Sequence, residues 1–183
     1  MEPETARRLL MYGGEHGLDT MVYNSNSIYT GKRSEATDFM LRYGEPPPEE
    51  FPALPDLADQ VPISKVLFLM LPENIPALRT DLAPLVNGSV SIVTSQPHML
   101  ECLPPGASKG AGLALLLQDE GYTPAQVLAI GDGENDIEML QLAGIGVAMG
   151  NAPAHVQAAA QHVTLSNDED GVAHAVERFV LNV

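Results

Sequence analysis

Asp132-Gly133-Glu134-Asn135-Asp136 crowds three carboxylates and a carboxamide into five consecutive positions. The apolar run Val127-Leu128-Ala129-Ile130 and then Gly131 precede it, and Ile137, Met139 and Leu140 follow at helical spacing. A short apolar run closed by glycine reads as a buried strand, and the 3.6-residue pattern behind it as a helix. The acidic turn is therefore expected at the carboxyl end of a strand, where open α/β sheets bind ligands. Hard oxygen donors in such a turn suit Mg²⁺. The same residues also suit a solvated turn in which Asp or Asn caps the next helix, and the pattern leaves both readings open.

Lys109, in Gly106-Ala107-Ser108-Lys109-Gly110, opens an apolar helical segment. A cation at a helix N-terminus opposes the helix dipole. Either an anion or the Asp132/Asp136 cluster holds it there, or it is a solvated lysine with its stem on apolar surface. Cations are scarce in this part of the chain. After residue 98 only Lys109 and Arg178 stand against eleven Asp or Glu, within a net charge of −15 for the 183 residues. Such a surface gains nothing from counterion release, which argues against nucleic acid and anionic membranes as partners.

With 45% hydrophobic and 18% charged residues, the chain is expected to fold as a soluble globule of one ordinary domain or two small ones. No apolar run approaches the ~18 residues of a membrane helix, and Met1 begins no basic-then-apolar leader. Cys102 is the only cysteine, which points to a reducing, cytoplasmic setting and to a small buried hydrophobe in place of a reactive thiol. The five histidines show no metal-ligand spacing.

These residues need elements to position them, and the two halves of the chain differ in pattern. In the first half a helix is expected over 3–17, with Gly13 and Gly14 weakening it. A hairpin follows over 19–24 and 27–30, then a helix over 34–43, capped by Ser34, with Ala36, Phe39, Met40 and Tyr43 inward. Residues 45–55, with five prolines in eleven positions, read as an extended surface linker. A strand over 63–71, a helix over 72–86 and short strands over 90–94 and 99–103 complete an α+β unit with an antiparallel sheet. From residue 104 onward helix and strand alternate: helices over 109–120, 134–142, 152–160 and 169–180, strands over 127–130, 146–149 and 162–165. Short connections between them mean a parallel sheet with crossover helices.

Taken in order, GASKGAGLALLL, VLAIGDGENDIEML, AGIGVAMGNAPAHVQAAAQHVT and SNDEDGVAHAVERFVL resemble the haloacid dehalogenase superfamily, and more narrowly its Cof-type phosphatases with a type IIB cap. The resemblance covers essentially the whole chain. It implies an α/β fold in which residues 1–98 are an α+β cap that reads the substrate, and residues 99–183 the C-terminal half of a Rossmann-like core. It implies a Mg²⁺-dependent phosphoric monoester hydrolase acting on small phosphorylated metabolites such as sugar phosphates. Lys109 matches the family lysine that neutralises charge on the phosphoryl group and the nucleophile. Asp132 matches the direct Mg²⁺ ligand, Asn135 a phosphoryl contact, and Asp136 a second carboxylate that orients the metal shell or binds directly. Glu134 is expected to point to solvent, and Asn151 to cap the helix entered at Pro153.

The departure from the family is large. Its members work with two aspartates of a DxDGT-like motif on a central strand, and no such motif occurs in these 183 residues. Asp168-Glu169-Asp170-Gly171 spells DxDG but reads as the acidic entrance to the last helix. Without the nucleophile strand, residues 127–130 would present an apolar edge, and the second half is expected to be the less stable unless another chain or a second copy covers it. The alternative to an enzyme is a remnant without turnover, a Mg²⁺/phosphate-binding or protein-interaction module.

Overall fold

A computed structural model describes residues 1–181, and two compact units, Met1–Gly106 and Ala107–Val183, emerge from it. In the first, α1 (Pro3–Glu15) leads to β1 (Asp19–Tyr23) and β2 (Ile28–Thr30), paired as the expected antiparallel hairpin. Next come α2 (Glu35–Phe39), β3 (Glu49–Glu50), β4 (Lys65–Leu69), α3 (Ile75–Val86), β5 (Ser91–Gln96) and β6 (Met99–Leu103). The strands form one sheet in the order β3-β2-β1-β4-β6-β5, antiparallel except for β2 with β3.

Period-2 alternation assigns the two faces of this sheet. Val22, Val66, Phe68, Leu100 and Cys102 point one way, into the larger core with Leu9 and Leu10 of α1 and Leu78 and Leu82 of α3. Met21, Leu67, Leu69 and Met99 point the other way and pack with Ile28 and Met40.

Strand β6 pairs with both β4 and β5, which puts 99–103 in the antiparallel sheet expected of the first half, and the first compact unit runs to Gly106. Two expectations are corrected in this unit. The proline-rich stretch is no plain surface linker, because Glu49–Glu50 joins the sheet edge and Leu54, Leu57 and Ala58 turn into the core on a 3₁₀ segment, Leu54–Asp59. Ser34 does cap α2 by accepting a hydrogen bond from the Thr37 amide. The helix tightens at Met40 into a 3₁₀ turn, Met40–Tyr43, which leaves Tyr43 51% exposed.

The second unit alternates as expected: α4 (Lys109–Glu120), β7 (Leu128–Gly131), α5 (Ile137–Leu142), β8 (Ile145–Ala148), α6 (Ala154–Ala159), β9 (His162–Val163) and α7 (Gly171–Val176). Its three strands are parallel in the order β7-β8-β9. The core is small and alanine-rich: Ala129, Leu140, Ala143, Ala148, Ala152 and Val156. No described strand covers the outer edge of β7, where Leu128 and Ile130 stay half-buried while Val147 of β8 is fully enclosed. Helix α4 leaves Leu115 and Leu116 exposed at 63% and 56%. No helix among the described residues is long and apolar enough to cross a membrane.

Candidate functional site

Parallel pairing brings the carboxyl ends of neighbouring strands together, and the register Gly131 with Ala148 sets the turn after β7 beside the turn after β8. The first turn carries Asp132 and Gly133, a 3₁₀ segment Glu134–Asp136, and then α5. The second carries Asn151.

Asp136 organises the first turn from within. It is only 4% exposed. Its Oδ2 accepts hydrogen bonds from the amides of Asp132 at 3.0 Å and Gly133 at 2.9 Å, satisfying donors that the start of a helix leaves without intrahelical partners. Its Oδ1 receives the Lys109 Nζ at 2.5 Å. Gly131 makes room for this side chain, since a Cβ there would lie 2.5 Å from the Cβ and 2.6 Å from the Cγ of Asp136. The helix-capping alternative for the acidic turn therefore describes Asp136, whose two oxygens are both engaged.

Lys109 stands at the first position of α4, and its side chain is 51% exposed. Ser108 precedes it as N-cap, its Oγ accepting from the Ala111 amide at 3.0 Å. Of the two readings open in the sequence, the solvated lysine is set aside, because Asp136 holds the ammonium. An ion pair this exposed adds little stability; its consequence is a cation fixed beside the acidic turn.

Asp132 has the opposite character. It is exposed, and its Oδ2 accepts a hydrogen bond from Asn151 Nδ2 at 3.0 Å, while Asn151 Oδ1 accepts one from the Asn167 amide at 2.9 Å. Asn151 does not cap α6, whose N-cap is Pro153 without a side-chain bond; instead it steers Asp132. That role left one trace in the sequence, an amide-bearing residue three positions after the second of two adjacent parallel strands. Asn135 and Glu134 lie half-buried in the same turn.

The Asp168–Asp170 stretch stands apart as a helix entrance. Ser166 Oγ donates to Glu169 Oε2 at 2.6 Å, and Asp170 takes a left-handed conformation before α7. The Ser166 hydroxyl and amide hold the Glu169 carboxyl below its ordinary pKa.

Lys109, Asp132, Asn135 and Asp136 thus belong to one locus at the end of β7. Among the described residues no group of three His, Cys, Asp or Glu side chains converges on one point. Asp132 offers an exposed, oriented carboxylate, and Mg²⁺ is commonly held by one or two carboxylates with waters and substrate phosphate completing its shell. The donor chemistry fits that mode and does not form a closed protein cage.

A family model described as haloacid dehalogenase-like hydrolase matches residues 1–176. The chain is 35% identical over 181 residues to the chloroplastic endoribonuclease YBEY of Arabidopsis thaliana, a match covering 98% of this chain and 31% of that protein. It is 38% identical over 161 residues to the putative phosphatase YxeH of Bacillus subtilis, covering 87% of this chain and 59% of that one. A solved haloacid dehalogenase-like hydrolase from Bacteroides thetaiotaomicron superposes with a TM-score of 0.79 at 33% identity, over 97% of this chain and 67% of its own. The chain spans between 31% and 59% of the length of these two curated relatives.

Proposed function

The chain belongs to the haloacid dehalogenase-like hydrolases, in their Cof-type branch, and from that premise we propose that it carries the metal- and phosphate-binding part of a Mg²⁺-dependent phosphatase of small phosphorylated metabolites such as sugar phosphates. The observation that carries the reading is the Lys109–Asp136–Asp132 constellation at the carboxyl end of β7. Phosphoryl transfer concentrates negative charge on equatorial oxygens, and catalysis consists largely of neutralising and positioning it.

Lys109 supplies a positive charge to those oxygens. Asp132, turned by Asn151, is the carboxylate that holds Mg²⁺, and Asn135 is a donor to the phosphoryl group. When bound, Mg²⁺ supplies Lewis-acid stabilisation of the same oxygens. Asp136, with both oxygens committed to the turn and to Lys109, acts by positioning and not as a direct metal ligand. The first unit is read as the cap that selects the leaving group. The buried, lone Cys102 suits a reducing, cytoplasmic setting.

The attacking carboxylate needs another source. Asp168 and Asp170 form the only Asp-x-Asp pair in the sequence, and they stand at a helix entrance. On this reading the nucleophile sits on a strand outside residues 1–183, seated against the uncovered edge of β7. A second reading is a Mg²⁺/phosphate-binding or protein-interaction module without turnover, and the uncovered edge of β7 favours its protein-interaction form. Hydrolysis of p-nitrophenyl phosphate with Mg²⁺ tests the assignment: these residues alone should give no turnover above background. Robust turnover abolished by Asp132→Ala would place the nucleophile within the chain and overturn it.

A further inference from the structure

We propose that Glu138 is a positioning residue for Lys109: by accepting a hydrogen bond from the Ser108 hydroxyl it seats the first turn of α4 against α5, and so sets where the Lys109 ammonium stands. The inference rests on reading Lys109 as the phosphate-facing cation.

Both neighbours of Lys109 rest on Glu138. On one side, Ser108 Oγ donates to Glu138 Oε2 while accepting from the Ala111 amide, so the hydroxyl is used in both directions. On the other, Gly110 approaches so closely that a Cβ would lie 2.6 Å from Glu138 Cβ and 2.9 Å from its carbonyl carbon. One short stretch, residues 136–138, therefore grips another, residues 108–110: Asp136 takes the lysine head, and Glu138 takes the Ser108 hydroxyl on one side of it and packs against Gly110 on the other. The lysine cannot hold this geometry by itself, because a half-exposed ion pair on a four-carbon stem is weak.

The sign of the effect separates positioning from simple charge. A carboxylate near an anion site opposes anion binding, so a purely electrostatic Glu138 would weaken phosphate affinity, and its removal would strengthen it. A positioning Glu138 does the reverse, and a carboxamide oxygen in its place can still accept from Ser108.

The chain has three lysines, Lys32, Lys65 and Lys109, so ¹⁵N-lysine ammonium spectra report Lys109 directly, with Lys65 on Glu101 as an internal reference. In Glu138→Ala the Lys109 signal should move to the position of a free lysine and exchange faster. Affinity for inorganic phosphate should fall about three- to tenfold. Glu138→Gln should preserve both. Ser108→Gly, which removes the hydroxymethyl group with both its hydrogen bonds at a position where glycine is a tolerated N-cap, should reproduce the alanine result from the other side of the contact and serves if Glu138→Ala fails to fold. An unchanged Lys109 signal in Glu138→Ala, with phosphate bound more tightly in both Glu138 variants, would overturn the proposal. If the unmodified chain binds no phosphate, the phosphatase reading fails, while the Lys109 signal still decides the positioning role.

Discussion

Removing the Asp136 carboxylate should open the acidic turn locally, and the size of the effect follows from its partners. Asp136 accepts two backbone amides, Asp132 at 3.0 Å and Gly133 at 2.9 Å, and pairs with Lys109 at 2.5 Å, all while 4% exposed. Hydrogen bonds to a charged acceptor contribute about 1.5–3 kcal/mol each. Asp132 is exposed and Gly133 half-buried, so water regains part of each lost bond, leaving about 1 kcal/mol apiece. The half-exposed lysine adds at most about 1 kcal/mol. The total for Asp136→Ala is therefore about 2–3 kcal/mol, which corresponds to about a 30- to 150-fold faster opening of this turn. Amide hydrogen exchange at Asp132 and Gly133, read by NMR, measures it directly. Asp136→Asn should behave differently, since its carboxamide oxygen still accepts both amides while its NH₂ group repels the lysine: the two amides stay largely protected and the Lys109 ammonium is released. Equal protection of both amides in the unmodified chain and in Asp136→Ala would refute the claim that this side chain holds the turn.

Three further outcomes follow from the packing and hydrogen bonds described above. Gly131→Ala drives a methyl group into Asp136 and should cost about 1–3 kcal/mol in thermal unfolding while freeing Lys109 in its ammonium spectrum. Cys102 is fully buried, and burial pushes its thiol pKa up to about 12; iodoacetamide at neutral pH should leave the folded protein unmodified and label it only as denaturant opens the first unit. Glu169 has a depressed carboxyl pKa from the Ser166 hydroxyl and amide. The stability it contributes is complete above the ordinary value of 4.5 and fades as pH falls through the lower folded value. Its carboxyl titration by NMR should show that depression, and Ser166→Ala, which removes the hydroxyl and keeps the amide, should reduce it.

The sequence made the second unit legible because alternating strands and helices carry periodicity, caps and glycine stops in register. Residues 109–120 emerge as α4 without adjustment. Residues 99–103 read as a strand of the antiparallel unit, and β6 pairs there with β4, thirty residues earlier; only the family resemblance drew a boundary in front of it, at residue 98. In the proline-rich segment, composition outweighed the period, and Leu54 and Leu57, spaced for a 3₁₀ turn into the core, went unseen. At the site, residue type and strand position marked Lys109, Asp132 and Asp136. Asn151 and Glu138 stayed hidden because each acts on a partner far away in sequence, Asp132 nineteen residues and Ser108 thirty residues apart. A helix cap and a surface glutamate look the same in a string of letters.

Coupling between Mg²⁺ and phosphate tests the central claim most directly. Calorimetric titration of inorganic phosphate into the chain should show tighter binding with Mg²⁺ than without it. Asp132→Asn should remove that enhancement, and Lys109→Ala should weaken binding in both conditions. Phosphate binding that is indifferent to Mg²⁺ and to both substitutions would contradict the assignment of this turn.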